Sequence, residues 1–80
     1  MKIYPLCIRN VEEAAAFVKI TNHFKFDLDI RLGSIAVDAK SILGVMTLCA
    51  QPSLELVVYE EADEDIKNSL GEFLVGEMIA

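Results

Sequence analysis

The chain has 80 residues, of which 54% are hydrophobic and 25% charged, and its formal net charge is -6. This length suits one domain, residues 1–80, and the composition excludes disordered and low-complexity chains. The acidic balance argues against binding to nucleic acid or to an anionic membrane surface. No signal peptide is recognisable, and no apolar run approaches the ~20 residues of a membrane helix. The sequence therefore predicts a cytoplasmic protein.

The first elements are a strand and a helix. Residues 2–8 are β-prone and contain Pro5, which predicts a strand in which no neighbour needs the missing proline N–H. Asn10 stands just before an apolar stripe with helical spacing, and Glu13 follows three residues later. This pattern is a variant of the capping box and predicts a helix over residues 11–23.

A hairpin is predicted next. Residues 26–32 alternate strictly between apolar and polar side chains, which is typical of a strand with one wet face. The pair Gly33 and Ser34 is a tight-turn signal. Residues 35–38 then return as the second strand of the hairpin.

The remaining elements are a short helix, a strand and a last helix. Ser41 opens the short helix over residues 42–50, and residues 54–60 form the strand. The last helix has an acidic first turn at residues 63–65, which suits the positive end of a helix dipole. Its apolar stripe consists of Ile66, Leu70, Phe73 and Leu74.

The predicted order of elements is β-α-β-β-α-β-α. A small sheet with one wet face offers only its other face to the three helices. We therefore predict an α+β fold, an open-faced sandwich with a four-stranded, mostly antiparallel sheet covered on one face by three helices.

The chain has few cysteine and histidine residues, the side chains that most often bind transition metals in proteins. Cys7 and Cys49 are the only cysteines, and both have apolar neighbours, so we predict reduced thiols in the core. The single histidine, His23, is expected to be exposed near a helix end. With one histidine and two scattered cysteines, no metal set and no cofactor is predicted.

The segment AKSILGVMTL, from Ala39 to Leu48, resembles the regulatory-serine segment of HPr, the histidine-containing phosphocarrier of the bacterial sugar phosphotransferase system. The resemblance extends over about residues 2–78, and the predicted order of elements is that of the HPr fold. It implies an HPr-like open-faced sandwich and a protein that is not an enzyme.

The other HPr motif is missing. In that family a phosphorylatable histidine stands at the start of the first helix, followed by a phosphate-binding arginine and a proline. Counting back from Phe17, those positions hold Asn10, Glu12 and Glu13. An amide does not form a phosphoramidate, and a carboxylate repels phosphate, so we predict no catalytic residue. His23 lies near the other end of the helix and cannot substitute.

Ser41 has two compatible interpretations. Its hydroxyl is suited to cap the short helix, and the resemblance implies that it is also a regulatory phosphorylation site with Lys40 as a nearby cation. Asn10 is read as a helix cap, with a contact to partners as the alternative.

The short helix carries more apolar side chains than a small sheet can bury. The resemblance implies that Ile42, Leu43 and Met46, with Lys40, contact partners. The alternative is that these apolar side chains only pack in the core.

Three functions are considered. The favoured one is a regulatory protein similar to the catabolite repression HPr-like proteins, switched by phosphorylation at Ser41. Its implied partners are HPr kinase/phosphorylase and a transcriptional regulator of sugar use. The alternative is a non-phosphorylated binding module of the same fold that uses the Ile42, Leu43 and Met46 patch for another partner or for a homodimer. A small enzyme is least favoured, because no nucleophile–base constellation occurs.

Overall fold

The predicted α+β fold and its order of elements are confirmed by a computed structural model, which describes residues 1–80. Four strands and three helices alternate as expected, and a 3₁₀ turn over Gly71–Phe73 follows the last helix. The elements are β1 (Lys2–Leu6), α1 (Val11–Thr21), β2 (Leu28–Leu32), β3 (Ile35–Asp38), α2 (Ile42–Leu48), β4 (Leu54–Val58) and α3 (Asp63–Leu70).

The sheet has the strand order β1-β4-β2-β3, and all three pairings are antiparallel. Leu56 of β4 pairs with Tyr4 on one side and with Ile30 on the other, and these residues share the face that the helices cover. The opposite face carries Arg31 and Glu55, whose side chains form an ion pair at 2.8 Å. The alternation in the sequence therefore separates a core face from a more polar face, on which Ile3 and Val57 are nevertheless buried.

The core lies between the sheet and the helices. Phe17 of α1 is fully buried and meets Phe73 edge-on, with ring centroids 5.3 Å apart. Each helix contributes buried apolar side chains from one stripe: Ala14, Phe17 and Val18 from α1, Val45 and Leu48 from α2, and Ile66 and Leu70 from α3. No helix in the chain combines the length and the apolar character that crossing a membrane requires.

Most of the helices and strands are one or two residues shorter at their ends than the periodicity predicts. β1 ends at Leu6 rather than at residue 8, and α1 ends at Thr21 rather than at residue 23. β2 begins at Leu28 rather than at residue 26, α2 ends at Leu48, and β4 ends at Val58. Element ends fray, and a hydrophobic pattern continues for one or two residues beyond the last ladder bond.

The predicted end of the last helix was wrong. α3 stops at Leu70, Phe73 belongs to the 3₁₀ turn, and Leu74 is extended and forms an antiparallel bridge with Leu6. Gly71 is a weak helix former, and the edge of β1 offers backbone partners that a longer helix would leave unused. Leu74 still packs against the core, but from a strand-like segment.

The prediction that the two cysteines are reduced core thiols holds in part, since Cys49 packs against the core. Both thiols are free, as expected, but Cys7 and Cys49 are only partly buried. Each residue comes directly after the end of an element, β1 and α2 respectively. The Cys49 thiol lies 3.3 Å from the carbonyl oxygen of Met46 in the last turn of α2.

Candidate functional site

The start of α1 is capped by side chains from its own first turn and from the residues just before it. Asn10 has an extended backbone, and its Oδ1 accepts a hydrogen bond from the N–H of Glu13 at 2.8 Å. The Glu13 carboxylate in turn accepts from the backbone N–H of Arg9 at 3.0 Å and lies 3.4 Å from the Arg9 guanidinium. This capping arrangement confirms the predicted capping-box variant at the start of α1.

A cavity of about 350 Å³ opens beside this helix start. Its charged side chains are three carboxylates and one guanidinium, and the guanidinium already pairs with Glu13. The lining residues are Arg9, Asn10, Glu12, Glu13, Ala16, Glu72 and Phe73. The excess of carboxylates makes this helix start unfavourable for an incoming phosphate, although a helix N-terminus by itself favours anions.

Glu72 is a site residue that the sequence did not indicate. It reaches the cavity because the 3₁₀ turn after α3 brings it beside the start of α1. It lies more than sixty residues from Asn10 in the chain, and no local pattern links the two positions.

The start of α2 is also capped by a side chain. Ser41 is partly exposed, and its Oγ accepts a hydrogen bond from the N–H of Gly44 at 3.2 Å. A Cβ at Gly44 would lie 3.1 Å from the Cβ of Val37, so the glycine permits α2 to approach β3 closely. The serine therefore sits at a helix start that is tightly fitted to the sheet.

The last turn of α1 holds the chain just before Ser41. Thr21, the single buried polar residue, has its hydroxyl 2.7 Å from the carbonyl oxygen of Ala39. The next residue, Asn22, donates from Nδ2 to the carbonyl oxygen of Lys40 at 3.0 Å. Because these two contacts join α1 to the approach to α2, they fix the position of the serine.

Lys40 does not point freely into solvent. Its ammonium donates to the carbonyl oxygen of Phe24 at 2.7 Å, in the loop that follows α1. Its backbone N–H donates to the Asp38 carboxylate at 2.9 Å. The Lys40 ammonium, which was expected to lie beside Ser41, is thus hydrogen-bonded to a backbone carbonyl. The side chain nearest to the Lys40 backbone N–H is the acidic Asp38.

The apolar residues of α2 divide between the core and the surface. Val45 is fully buried and Leu48 is 6% exposed, whereas Leu43 is 75% exposed and Ile42 and Met46 are each 38% exposed. The prediction that the sheet cannot bury every apolar side chain of this helix is therefore confirmed. Whether these three side chains contact a partner stays a prediction; they are called the α2 patch below.

The end of α2 lies at the same end of the molecule as the start of α1. Directly after α2, the N–H of Ala50 donates to the carbonyl oxygen of Ile8 at 2.6 Å, two residues before Asn10. The two helices run in opposite directions, because the other end of α1 contacts the residues before Ser41.

His23 is separate from both helix starts and exposed in the turn that follows α1. Its Nδ1 lies 2.8 Å from the carbonyl oxygen of Lys19, an arrangement in which Nδ1 carries the proton. The helix between it and Asn10 is about 16 Å long at 1.5 Å per residue. The histidine therefore cannot serve the site that Asn10 occupies.

The strand order, the three helices on one sheet face and the serine-capped second helix define a small open-faced α+β sandwich. The family described as the PTS HPr component phosphorylation site matches residues 10–74, and the chain belongs to this HPr family. The predicted resemblance is confirmed.

A solved structure supports the same assignment. The phosphocarrier protein HPr from Bacillus anthracis str. Ames is similar to this chain with 29% sequence identity and a TM-score of 0.69, and the match covers 92% of this chain and 94% of that one. A comparison with curated proteins finds no match. The chain is thus a phosphocarrier-like protein related to the phosphotransferase system, in a family whose members interact with proteins of that system and with kinases.

Proposed function

We propose that this protein is an HPr-like regulator that does not carry a phosphoryl group at the start of α1. The observation that carries the proposal is that Asn10 caps this helix with an amide and that three carboxylates line the adjoining cavity. An amide nitrogen is not a nucleophile for phosphate, and the carboxylates oppose the charge of a phosphoryl donor. This helix start therefore offers neither a nucleophile that can accept the phosphoryl group nor an excess of positive charge that would hold it.

Regulation at Ser41 is the second part of the proposal. The serine is partly exposed, and the α2 patch begins at the next residue. Phosphorylation would add a charge of about -1.5 to -2 beside that patch and so change which partner docks there. The proposed partners are HPr kinase/phosphorylase and a transcriptional regulator of sugar use, and we propose that these encounters take place in the cytoplasm.

Lys40 supports a specific form of this switch. Its ammonium lies on the Phe24 carbonyl, and a phosphate on the adjacent Ser41 would compete for the same cation. Moving the ammonium to the phosphate would remove the contact with Phe24 and loosen that part of the loop after α1, while the bonds from Thr21 and Asn22 remain. Phosphorylation would then alter the surface at this end of α2 in shape as well as in charge.

The direct test is intact-mass analysis after treatment with HPr kinase and ATP. The wild-type protein should gain one phosphate, and Ser41→Ala should gain none. Ser41→Asn is the matched control, because asparagine caps a helix as well as serine does but offers no hydroxyl. Phosphate on either variant would contradict the assignment to Ser41, and an unmodified wild-type protein would contradict the switch.

An unphosphorylated binding module is the second candidate. It is favoured by the engagement of Lys40 with Phe24, since the cation next to Ser41 is already held by a backbone carbonyl. In this case the α2 patch binds its partner without a covalent switch. Failure of the kinase to modify the protein, together with loss of partner binding in Met46→Glu, would select this function over the first.

A further inference from the structure

The largest of the four cavities in the molecule lies between the end of α1 and α3, and its volume is about 450 Å³. This volume falls within the range of about 300 to 1,000 Å³ that is usual for small-molecule sites. The lining residues are Lys19, Ile20, His23, Phe24, Asp65 and Ser69. None of them lies at the start of α1 or of α2, so this cavity is separate from the two helix starts described above.

Two apolar side chains form a wall of the cavity. Ile20 and Phe24 are partly buried and pack against the core. The ring of Phe24 also lies beside that of Phe26, with centroids 5.0 Å apart. The Phe24 backbone is held on both sides, because its N–H donates to Thr21 O at 3.1 Å and its carbonyl oxygen accepts from the Lys40 ammonium. The apolar wall is therefore in place before a ligand arrives, which lowers the entropic cost of binding.

The charged side chains of the cavity come from opposite helices, a cation from α1 and an anion from α3. Lys19 and Asp65 are both exposed, and neither belongs to any of the four ion pairs of the chain. They line the same cavity and form no ion pair with each other. The cavity therefore offers one unpaired charge of each sign, with space between them.

Two further polar groups complement these charges. His23 uses Nδ1 for the carbonyl oxygen of Lys19, which leaves Nε2 as an acceptor. The Ser69 hydroxyl lies one helical turn after Asp65, on the same face of α3. An ammonium group would find acceptors in Asp65 and His23. A carboxylate would find donors in Lys19 and Ser69. This cavity is thus balanced in charge, unlike the carboxylate-rich cavity beside Asn10.

We propose that this cavity binds a small zwitterion with an apolar body, the chemical class of the apolar α-amino acids. The apolar body lies on the wall formed by Ile20 and Phe24. The carboxylate faces Lys19 and the ammonium faces Asp65. A ligand with only one charged end would remove water from the opposite side chain without pairing it. The proposal is independent of phosphorylation at Ser41 and of the α2 patch.

The first test titrates the full chain with L-phenylalanine and follows the backbone amide signals by NMR. Saturable shifts should appear at residues 19–24 and 65–69, and not in α2. Phenethylamine lacks the carboxylate and 3-phenylpropanoate lacks the ammonium, so each should bind about tenfold more weakly, as the loss of one charged hydrogen bond predicts. L-alanine has both charges but a much smaller apolar body, and it should not saturate the site at the same concentrations.

Three results of this titration would overturn the proposal. If L-phenylalanine gave no saturable shifts, the cavity would not be a site for this class of ligand. Equal affinities for the three phenyl compounds would show that the apolar wall alone accounts for binding and that the charges do not select a zwitterion. Shifts confined to α2 would place the ligand on another surface.

The second test matches each charged side chain with one end of the ligand. Lys19→Gln should weaken the binding of L-phenylalanine about tenfold and leave that of phenethylamine, which has no carboxylate, unchanged. Asp65→Asn should weaken L-phenylalanine to the same extent and leave 3-phenylpropanoate unchanged. The matched control is Glu64→Gln, which removes a charge from the same turn of α3 outside the cavity and should change neither affinity. If Lys19→Gln or Asp65→Asn weakened all three compounds equally, the assigned contacts would be wrong, because a change in the shape of the cavity would then explain the loss.

Discussion

The starts of α1 and α2 use the same local device in opposite surroundings. Asn10 and Ser41 both have extended backbones, and each accepts a hydrogen bond from the N–H three residues later. Around Asn10 the side chains are carboxylates, and the cap is locked by Glu13 and Arg9. Ser41 is followed directly by exposed apolar side chains. A shared cap thus does not define a shared function, because the neighbours decide what each helix start can bind.

The largest expected effect concerns phosphoryl transfer. With Enzyme I and phosphoenolpyruvate, the wild-type protein should gain no acid-labile phosphate, because Asn10 is not a nucleophile. Asn10→His should react poorly, and adding Glu12→Arg should raise the rate by at least about tenfold by reversing a charge beside the phosphate. Added salt should reduce that difference, since it screens exposed charges.

Autoradiography after alkaline and acid treatment measures this phosphate. Stoichiometric phosphohistidine in the wild-type protein, at His23 included, would remove the contrast between the two helix starts. Equal rates for the single and double variants would show that the carboxylates around the cavity are irrelevant.

The next effect separates the exposed and buried residues of α2. Val45→Glu should lower the free energy of unfolding by more than about 3 kcal/mol, because it buries an unpaired charge. Met46→Glu, one residue later, should stay within about 1 kcal/mol of the wild type, since Met46 is partly exposed. Urea unfolding followed by circular dichroism measures both, and a large loss in Met46→Glu would place that side chain in the core.

The two caps themselves should be worth similar amounts. Asn10→Ala and Ser41→Ala should each cost about 1 kcal/mol of stability, because each leaves a helix N–H without its partner. Ser41→Asn should recover the loss at α2. Thermal unfolding of the three variants tests this, and an unchanged midpoint for Ser41→Ala would show that the cap at α2 contributes nothing.

The smallest effect extends the comparison to the start of α3, where Ala62 provides no cap. The Tyr4 hydroxyl donates to the Asp63 carboxylate, and this bond, with Lys67 nearby, holds the pKa of Asp63 below its usual 3.8. Since the folded state binds this proton less readily, the stabilisation is complete above pH 3.8 and is lost as pH falls through the lower folded pKa.

In Tyr4→Phe the free energy of unfolding should therefore fall less steeply as the pH is lowered. Urea unfolding from pH 6 down to pH 2 measures the slope for both proteins, and Tyr59→Phe is the matched control because Tyr59 donates to a different carboxylate, that of Asp29. An identical slope in wild type and Tyr4→Phe would show that the bond does not affect the titration of Asp63.

Much of the fold follows from local patterns in the sequence. The alternation in residues 26–32 predicts β2 and its wet face, and the spacing from Asn10 to Glu13 predicts the capped start of α1. These predictions succeed because periodicity and capping involve residues only two to four positions apart. The family, too, follows from one ten-residue segment, Ala39 to Leu48.

Only the tertiary structure decided which groups meet at the candidate sites. Glu72 lines the cavity beside Asn10, the Lys40 ammonium lies on the Phe24 carbonyl, and the chain after α3 pairs with β1. Each of these contacts closes a long loop, and its partners are chosen by the packing of whole elements rather than by neighbours in the chain. A helical spacing such as that from Leu70 to Leu74 consequently gives way where a strand edge needs backbone partners.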